Sequence, residues 1–160
     1  MNVEILRAGI EEKPFLRNLL ELYRYDSSEF DGEDVGEHGL FTYRYLDHYW
    51  TDPGRHAFIV RVAGQVAGFV MVRMVESLGG ETVHSIAEFF IMRKYRRQGV
   101  GTTVARRVFD MFPGRWRVAE EEANAPAQAF WRRVIRRYTE GKFKEIRDDE
   151  WDGPVQEFRN

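Results

Sequence analysis

The fold is indicated by residues 87–103, which read Ala-Glu-Phe-Phe-Ile-Met-Arg-Lys-Tyr-Arg-Arg-Gln-Gly-Val-Gly-Thr-Thr. Residues 87–92 hold five apolar or aromatic side chains, too few for an independent helix and suitable for a buried strand. A basic loop follows at residues 93–98, and Gly99 and Gly101 then introduce apolar residues at intervals typical of one helix face. The stretch therefore predicts a strand, a glycine loop and a helix in succession.

Such a loop can bind an anion. The first N–H groups of a helix lack internal partners, and the helix dipole places partial positive charge there. Glycines let the backbone approach a ligand closely because no Cβ intervenes, so successive amides can converge on a phosphate. Arg96 and Arg97 add positive charge at the same point. The glycines alone fit an ordinary turn with a solvated basic loop equally well.

The residues around the two glycines distinguish between the known kinds of phosphate-binding loop. A nucleoside-triphosphate loop needs a Lys-Ser/Thr pair after its last glycine, and no lysine follows Gly101. A dinucleotide loop needs a third glycine, where this chain has Val104. The pattern that fits is Arg-x-x-Gly-x-Gly, at Arg96, Gly99 and Gly101. Together with residues 90–95, it resembles the pyrophosphate loop of the GNAT superfamily, the acyl-coenzyme A-dependent N-acyltransferases.

Composition sets limits on the class of protein. The 160 residues fit one domain with a real core, so we expect a single GNAT-like domain over residues 1–160. The net charge of −2 argues against a dedicated nucleic-acid binder. The absence of cysteine excludes disulfides and thiol chemistry and fits a reducing compartment. Residues 1–7 lack a signal-peptide pattern, and no stretch approaches the roughly 20 apolar residues of a membrane span. We expect a cytoplasmic protein without metal or membrane.

Apolar periodicity and turn residues predict the order of elements. Strands are expected at residues 3–7, 56–62, 65–75, 82–92, 115–119, 141–147 and 155–159. Helices are expected at residues 10–25, within 41–50, from Gly101 to Phe112, and from Asn124 to Tyr138. The short helix should present Tyr45, Leu46 and Tyr49 on one face, residues 26–39 form an acidic loop, and residues 78–81 form a turn.

This order predicts a mixed α/β layered domain around one sheet. Short turns make most strand pairs antiparallel, whereas the helical crossover before Arg115 makes that strand parallel to its predecessor. We therefore expect a mostly antiparallel sheet of about seven strands with about four helices. The GNAT superfamily has the same element order.

The resemblance implies where coenzyme A binds. In that family the fourth and fifth strands splay apart, and the pantetheine arm pairs with the fourth strand. The matching positions here are Phe90, Ile91 and Met92. The resemblance also implies a pyrophosphate site on the amides of Arg97, Gln98, Gly99, Val100, Gly101 and Thr102, with Arg96 at the family's Arg/Gln position.

A second family signature is an asparagine before the last helix and a Phe-Tyr pair within it. Asn124 and Phe130 match this signature, but the expected tyrosine is Trp131. In many members that tyrosine protonates the leaving thiolate, whereas an indole N–H can only donate a hydrogen bond. Tyr138 and Tyr95 are remote alternatives, and water is another.

Transfer to an amine also needs a base, because an ammonium must lose a proton before it attacks. Family members often carry a carboxylate at the position of Glu88, before the pantetheine segment; a salt bridge at the strand edge is the competing interpretation. His84 is the second candidate, although a lone histidine is more often structural.

The resemblance implies an N-acetyltransferase that uses acetyl-coenzyme A and a small-molecule or peptide amine, with a homodimer as an option. If the acidic loop folds over the pocket, a cationic acceptor is favoured. The aromatic segment 41–50 is expected either to line the acceptor pocket or to pack in the core. Two other functions stay open: an acyl-coenzyme A sensor domain, and an RNA-associated protein that uses Arg132, Arg133, Arg136 and Arg137.

Overall fold

The computed structural model describes residues 1–76 and 79–160. Its strands are β1 (Val3–Arg7), β2 (Arg55–Val62), β3 (Gln65–Glu76), β4 (Thr82–Ile91), β5 (Arg115–Ala119), β6 (Lys144–Ile146) and β7 (Val155–Arg159). Its α-helices are α1 (Lys13–Asp31), α2 (His48–Thr51), α3 (Val100–Met111) and α4 (Ala125–Thr139). Short 3-10 turns precede α1 at Ile10–Glu12 and follow β4 at Arg93–Tyr95.

The strands form one sheet in the order β1-β2-β3-β4-β5-β7-β6. Neighbours are antiparallel except β4 and β5, which are parallel because α3 crosses over between them. The predicted fold class is therefore confirmed for the described residues: a mixed, mostly antiparallel sheet with helices on both faces.

Each face of the sheet has its own core. On one face α1 and α2 pack against β2, β3 and β4, with Leu16, Leu20, Phe69 and Met71 fully buried. On the other face α3 and α4 pack with Val104, Phe109, Trp116 and Ile135, which are also fully buried. We call these the α1 face and the α3 face. Burial of this many large side chains is the main stabilising contribution.

The first helix differs from its prediction. It begins at Lys13 after the 3-10 turn and continues to Asp31, so residues 26–31 are helical rather than part of the acidic loop. It ends at Gly32, which adopts the left-handed conformation at φ 72° and donates its N–H to the Ser28 carbonyl. The acidic composition gave no helix signal, but the first glycine marks the end.

Two shorter predictions are also corrected. Tyr45 and Leu46 lie before the single turn of α2 instead of on one helix face with Tyr49, and Tyr45 is exposed whereas Leu46 and Tyr49 are buried. The strand predicted at residues 141–147 is reduced to β6, because Glu140 and Gly141 close α4 in left-handed conformations. In the turn predicted at residues 78–81, Leu78 lies outside the described residues.

None of the helices in the described chain combines the length and the apolar character that crossing a bilayer requires.

Candidate active site

The strands β4 and β5 diverge after a short contact. They pair only at Val83, His84 and Ser85 of β4, opposite residues 115–117 of β5. Beyond Ser85, β4 continues to Ile91 with β3 as its partner among the described strands. This is the splay that the family resemblance implies, and it leaves one edge of β4 open to a ligand.

Only part of the predicted pantetheine segment faces that edge. The Met92 amide donates to the Ala67 carbonyl at 2.8 Å, beyond the end of β3 pairing. The Phe90 carbonyl lies against Gly68, where a Cβ would come within 1.8 Å of it. Because backbone groups alternate between the two edges, Phe89 and Ile91 face the opening. Phe89 was missed by the sequence argument, since strand register cannot be read from an apolar run.

The loop after β4 has the geometry of an anion site. Gly99 has φ 83° and would carry a Cβ into open space, since no described atom lies within 4 Å of it. The first backbone bond of α3 runs from the Thr103 N–H to the Gly99 carbonyl at 3.0 Å. The amides of Gly101 and Thr102 precede that bond and have no acceptor within the helix.

The two glycines are required for different reasons. A Cβ on Gly101 would approach Phe130 ring atoms at 3.0 and 3.2 Å, which is tighter than ordinary van der Waals contact. Gly101 therefore allows α4 to pack against the start of α3, whereas Gly99 provides the left-handed backbone of the loop.

Arg96 is held by protein groups. Its Nη2 bonds Asp26 Oδ2 at 2.6 Å, and its Nε donates to the Ile91 carbonyl at 2.7 Å. Arg93 contacts the other oxygen of Asp26 at 2.8 Å. Burial opposes ionisation of Asp26, but hydrogen bonds from the two arginines outweigh it and hold the pKa of Asp26 below its ordinary value. Arg96 thus ties the loop to α1, while Arg97 and Gln98 are exposed.

Glu88 lies on the α1 face beside the opening. The Tyr23 hydroxyl donates a hydrogen bond to its Oε2. Burial raises the pKa of Glu88 to about 7, although the Tyr23 bond and the nearby charge of Arg24 act in the opposite direction. A carboxyl with this pKa can accept a proton near neutral pH.

A chain of hydroxyl groups adjoins Glu88. Tyr43 and Tyr49 hydroxyls lie 3.1 Å apart, and Arg55 Nη1 donates to the Tyr49 oxygen at 3.4 Å. Burial and the charge of Glu88 raise the pKa of Tyr43 well above its ordinary value. The aromatic segment therefore contributes both to the core and to the surroundings of Glu88.

A β-bulge separates Glu88 from His84. Met71 of β3 pairs with Glu88 and Val72 pairs with Ile86, so Ala87 is the extra residue. As a result His84 points to the α3 face, where its ring lies 5.4 Å from Phe112 and 5.3 Å from Trp116. Burial lowers the pKa of His84, and its Nδ1 is buried without a hydrogen-bond partner among the described residues. The structure does not bring the two base candidates together.

The three residues of the second signature make packing and capping contacts within the protein. Asn124 caps α4 by accepting a hydrogen bond from the Ala127 N–H at 3.1 Å. Phe130 packs 5.6 Å from Phe89 at the opening. Trp131 is 6% exposed and packs edge-to-face on Phe89 at 4.9 Å. Phe130 and Trp131 therefore form an aromatic wall with Phe89.

The other acid candidates lie elsewhere. The Tyr138 hydroxyl donates to Asp110 at 2.6 Å and accepts from Asn160 at 2.9 Å. The Tyr95 ring packs against the α3-face core and beneath Lys94. Neither tyrosine is among the groups that adjoin Glu88. Sequence reasoning also treated Tyr23 only as part of a helix face, because an aromatic residue at helical spacing gives no sign that its hydroxyl has a partner.

The arginine face of α4 is largely engaged. Arg132 bonds Glu145 through Nε at 2.7 Å and through Nη2 at 2.9 Å. Arg133 lies over Phe130, and Arg136 lies over Phe143. These contacts account for three of the four arginines without a nucleic acid.

Residues 16–135 match the profile of the acetyltransferase (GNAT) family. The chain belongs to this family. It is accordingly an acyltransferase. No curated protein matches the sequence.

Solved structures share the fold at low sequence identity. An acetyltransferase from Thermus thermophilus is 15% identical with a TM-score of 0.74, covering 100% of this chain and 98% of that one. The PaiA N-acetyltransferase of Thermoplasma acidophilum, in complex with coenzyme A, is 12% identical with a TM-score of 0.63 and full coverage of both chains. Arabidopsis thaliana NAA60, in complex with a bisubstrate analogue, is 14% identical with a TM-score of 0.65, covering 99% of this chain and 98% of that one.

Proposed function

We propose that this GNAT member is an N-acetyltransferase that moves an acetyl group directly from acetyl-coenzyme A to a primary amine. The observation that carries the proposal is the position of Glu88, a carboxyl with a pKa of about 7 beside the open edge of β4. The same strand leads through one short turn into the glycine loop. The proposed proton acceptor and the proposed anion site thus belong to one strand and the loop that follows it.

The residues around the opening fit the coenzyme. Open space at Gly99 and the amides at the start of α3 suit a diphosphate. The open-edge backbone groups of Phe89 and the N–H of Ile91 suit the amides of a pantetheine arm, whereas the Ile91 carbonyl already accepts a hydrogen bond from Arg96. Coenzyme A is also the ligand of the related PaiA structure. Acetyl-coenzyme A supplies the activated acyl group when bound.

The proton transfers can be assigned on this basis. Glu88 takes a proton from the acceptor ammonium, and the neutral amine then attacks the thioester carbonyl carbon. The C–S bond breaks as the amide forms, and the nitrogen loses a second proton. One of the two protons is needed by the leaving thiolate and the other goes to solvent. Trp131 has no acidic proton to offer, so water or Glu88 itself must return it.

The acidic end of α1 favours a cationic acceptor, whereas Arg24 and Arg73 place positive charge near Glu88 as well. Burial raises the pKa of Glu121, and the carboxylates of Asp31 and Glu33 raise it further. The C-terminal end of α1 therefore contributes negative charge on the Glu88 side of the opening. A protonated amine would be attracted to this side.

Binding of the coenzyme is tested by calorimetry with acetyl-coenzyme A. Gly99→Glu should reduce affinity on the order of 100-fold or more, because it places a carboxylate where the diphosphate would lie. Gly64→Glu is the matched control, since Gly64 also has a positive φ and open surroundings but lies at the β2–β3 hairpin. Wild-type protein that binds no acetyl-coenzyme A would contradict the proposal.

Transfer itself is tested by release of free thiol from acetyl-coenzyme A across a panel of amines, including diamines, amino sugars and peptides. Thiol release that depends on the amine supports the enzyme. Tight coenzyme binding with no release for any amine would instead support the sensor function.

A further inference from the structure

The ring of Tyr23 is held firmly on the α1 face. Its centroid lies 5.5 Å from Phe69 in an edge-to-face contact and 5.8 Å from Phe90. Burial, together with the charge of Glu88, raises the pKa of Tyr23 well above its ordinary value, so the phenol stays protonated. A fixed ring with a permanent proton can only act on Glu88 as a hydrogen-bond donor.

The bond from Tyr23 differentiates the two oxygens of Glu88. The hydroxyl donates to Oε2, and the described residues provide no hydrogen bond to Oε1. The residue also keeps partial solvent exposure, and Oε1 is the oxygen without a hydrogen bond from the described residues. One oxygen is therefore anchored and the other is free to accept a proton.

We infer that Tyr23 is a positioning residue that anchors one oxygen of Glu88, aims the other at the acceptor nitrogen and keeps the carboxylate available as a base. The inference rests on the proposed function for its meaning in catalysis. The bond itself and its effect on Glu88 do not depend on that function.

Other groups also act on Glu88, and the test must separate them from Tyr23. They come from every element packed around the carboxyl: Arg24 on α1, Tyr43 before α2, Tyr49 on α2, Arg73 on β3 and Glu121 after β5. The arginines favour the carboxylate and Glu121 opposes it. Among the described residues Tyr23 is the one that donates a hydrogen bond to the carboxyl, so its hydroxyl can be removed selectively.

The primary experiment is an NMR titration of Glu88 in protein labelled with carbon-13 at the glutamate carboxyls, assigned by comparison with Glu88→Gln. In Tyr23→Phe the pKa of Glu88 should rise by about one to two units, because a hydrogen bond to the charged form is lost. Tyr25→Phe is the matched control, since Tyr25 lies on the same helix and is 68% exposed. An unchanged Glu88 pKa in Tyr23→Phe would overturn the inference.

Kinetics provide the second readout. In Tyr23→Phe the acidic limb of the kcat/KM profile should shift upward with the Glu88 pKa, and activity at pH 7 should fall about 10-fold. In a Glu88→Gln background the same substitution should have almost no effect, since it acts through the carboxyl. Equal losses in both backgrounds would make Tyr23 merely structural and would contradict the inference. A wild-type protein that releases no thiol counts against the proposed function, while the titration still decides the role of Tyr23.

Discussion

The two halves of β4 belong to one strand but have different neighbours. Residues 82–85 pair with β3 along one edge, and residues 83–85 also pair with β5 along the other edge. Residues 86–91 pair with β3 alone among the described strands. The first half carries His84, packed between aromatic rings, and the second carries Glu88, bonded by a tyrosine beside the opening. Burial shifts the pKa of both groups, but only the second lies beside the opening that we propose as the acyl-transfer site.

The extra residue Ala87 is the cause of this difference. Without a bulge, positions 84 and 88 would lie on the same face, since side chains alternate with a period of two. The bulge shifts the alternation, so His84 and Ile86 face α3 while Glu88 and Phe90 face α1. One inserted residue thus separates a core position from a candidate catalytic position.

Glu88→Gln is the strongest test of the comparison. Turnover at pH 7 should fall by about 100-fold or more with little change in acetyl-coenzyme A affinity, because the base is lost but the anion loop is intact. The acidic limb near pH 7 should disappear from the rate profile. The control is His84→Leu, which should retain that limb. Unchanged activity in Glu88→Gln would exclude Glu88 as the base.

Loss of activity in Glu88→Gln should not come from unfolding. The folded-state pKa of Glu88 lies above its unfolded value, so the wild type loses stability as pH rises through about 7. Because glutamine does not ionise, the Glu88→Gln variant does not lose stability in this way. Its thermal stability relative to wild type should therefore be higher at pH 8 than at pH 5.

His84 should show the opposite pH dependence with an intermediate effect. Its folded-state pKa is lowered, so the unfolded chain binds a proton more readily, and the wild type loses stability as pH falls below about 6.5. His84→Leu should lose less stability than wild type between pH 8 and pH 5 in thermal melts. His38→Leu is the control, because the His38 side chain is largely exposed. If the melting temperature of His84→Leu changed with pH as much as that of wild type, the pKa of His84 would not be lowered in the folded protein.

The smallest effect is expected at Glu120, a buried carboxyl just after β5. Gln156 donates to it at 2.8 Å, yet burial raises its pKa to about 8. The wild type should lose stability as pH rises from about 5 to 9, and Glu120→Gln should gain a few degrees in melting temperature relative to it over that range. Glu122→Gln is a control of opposite sign, since its bonds to Arg147 lower the Glu122 pKa. If the melting temperatures of wild type and Glu120→Gln changed equally with pH, the pKa of Glu120 would not be raised, and this prediction would be wrong.

Much of this arrangement could be read from the sequence. Apolar periodicity located the strands and the two long helices on the α3 face, and the glycine spacing identified the loop. The last helix was predicted to start at Asn124, and in the structure Asn124 caps that helix.

The remaining features depend on tertiary contacts. Ala87 gives no signal of a bulge, since an apolar run reads the same with or without one extra residue. The carboxylate partners of Tyr23 and Arg96 are 65 and 70 residues away in sequence. The spacing of Gly101 suggested phosphate contact, whereas its packing against Phe130 is visible only when α3 and α4 are in place.

The contact of Asp26 with both Arg93 and Arg96 has one more consequence. Asp26 lies three positions after Tyr23 on α1. The helical turn that binds Arg93 and Arg96 through Asp26 therefore also positions the Tyr23 hydroxyl against Glu88. The proposed diphosphate site and the proposed base are thus both positioned by the same turn of α1. A small displacement of that turn would disturb both ends of the opening at once.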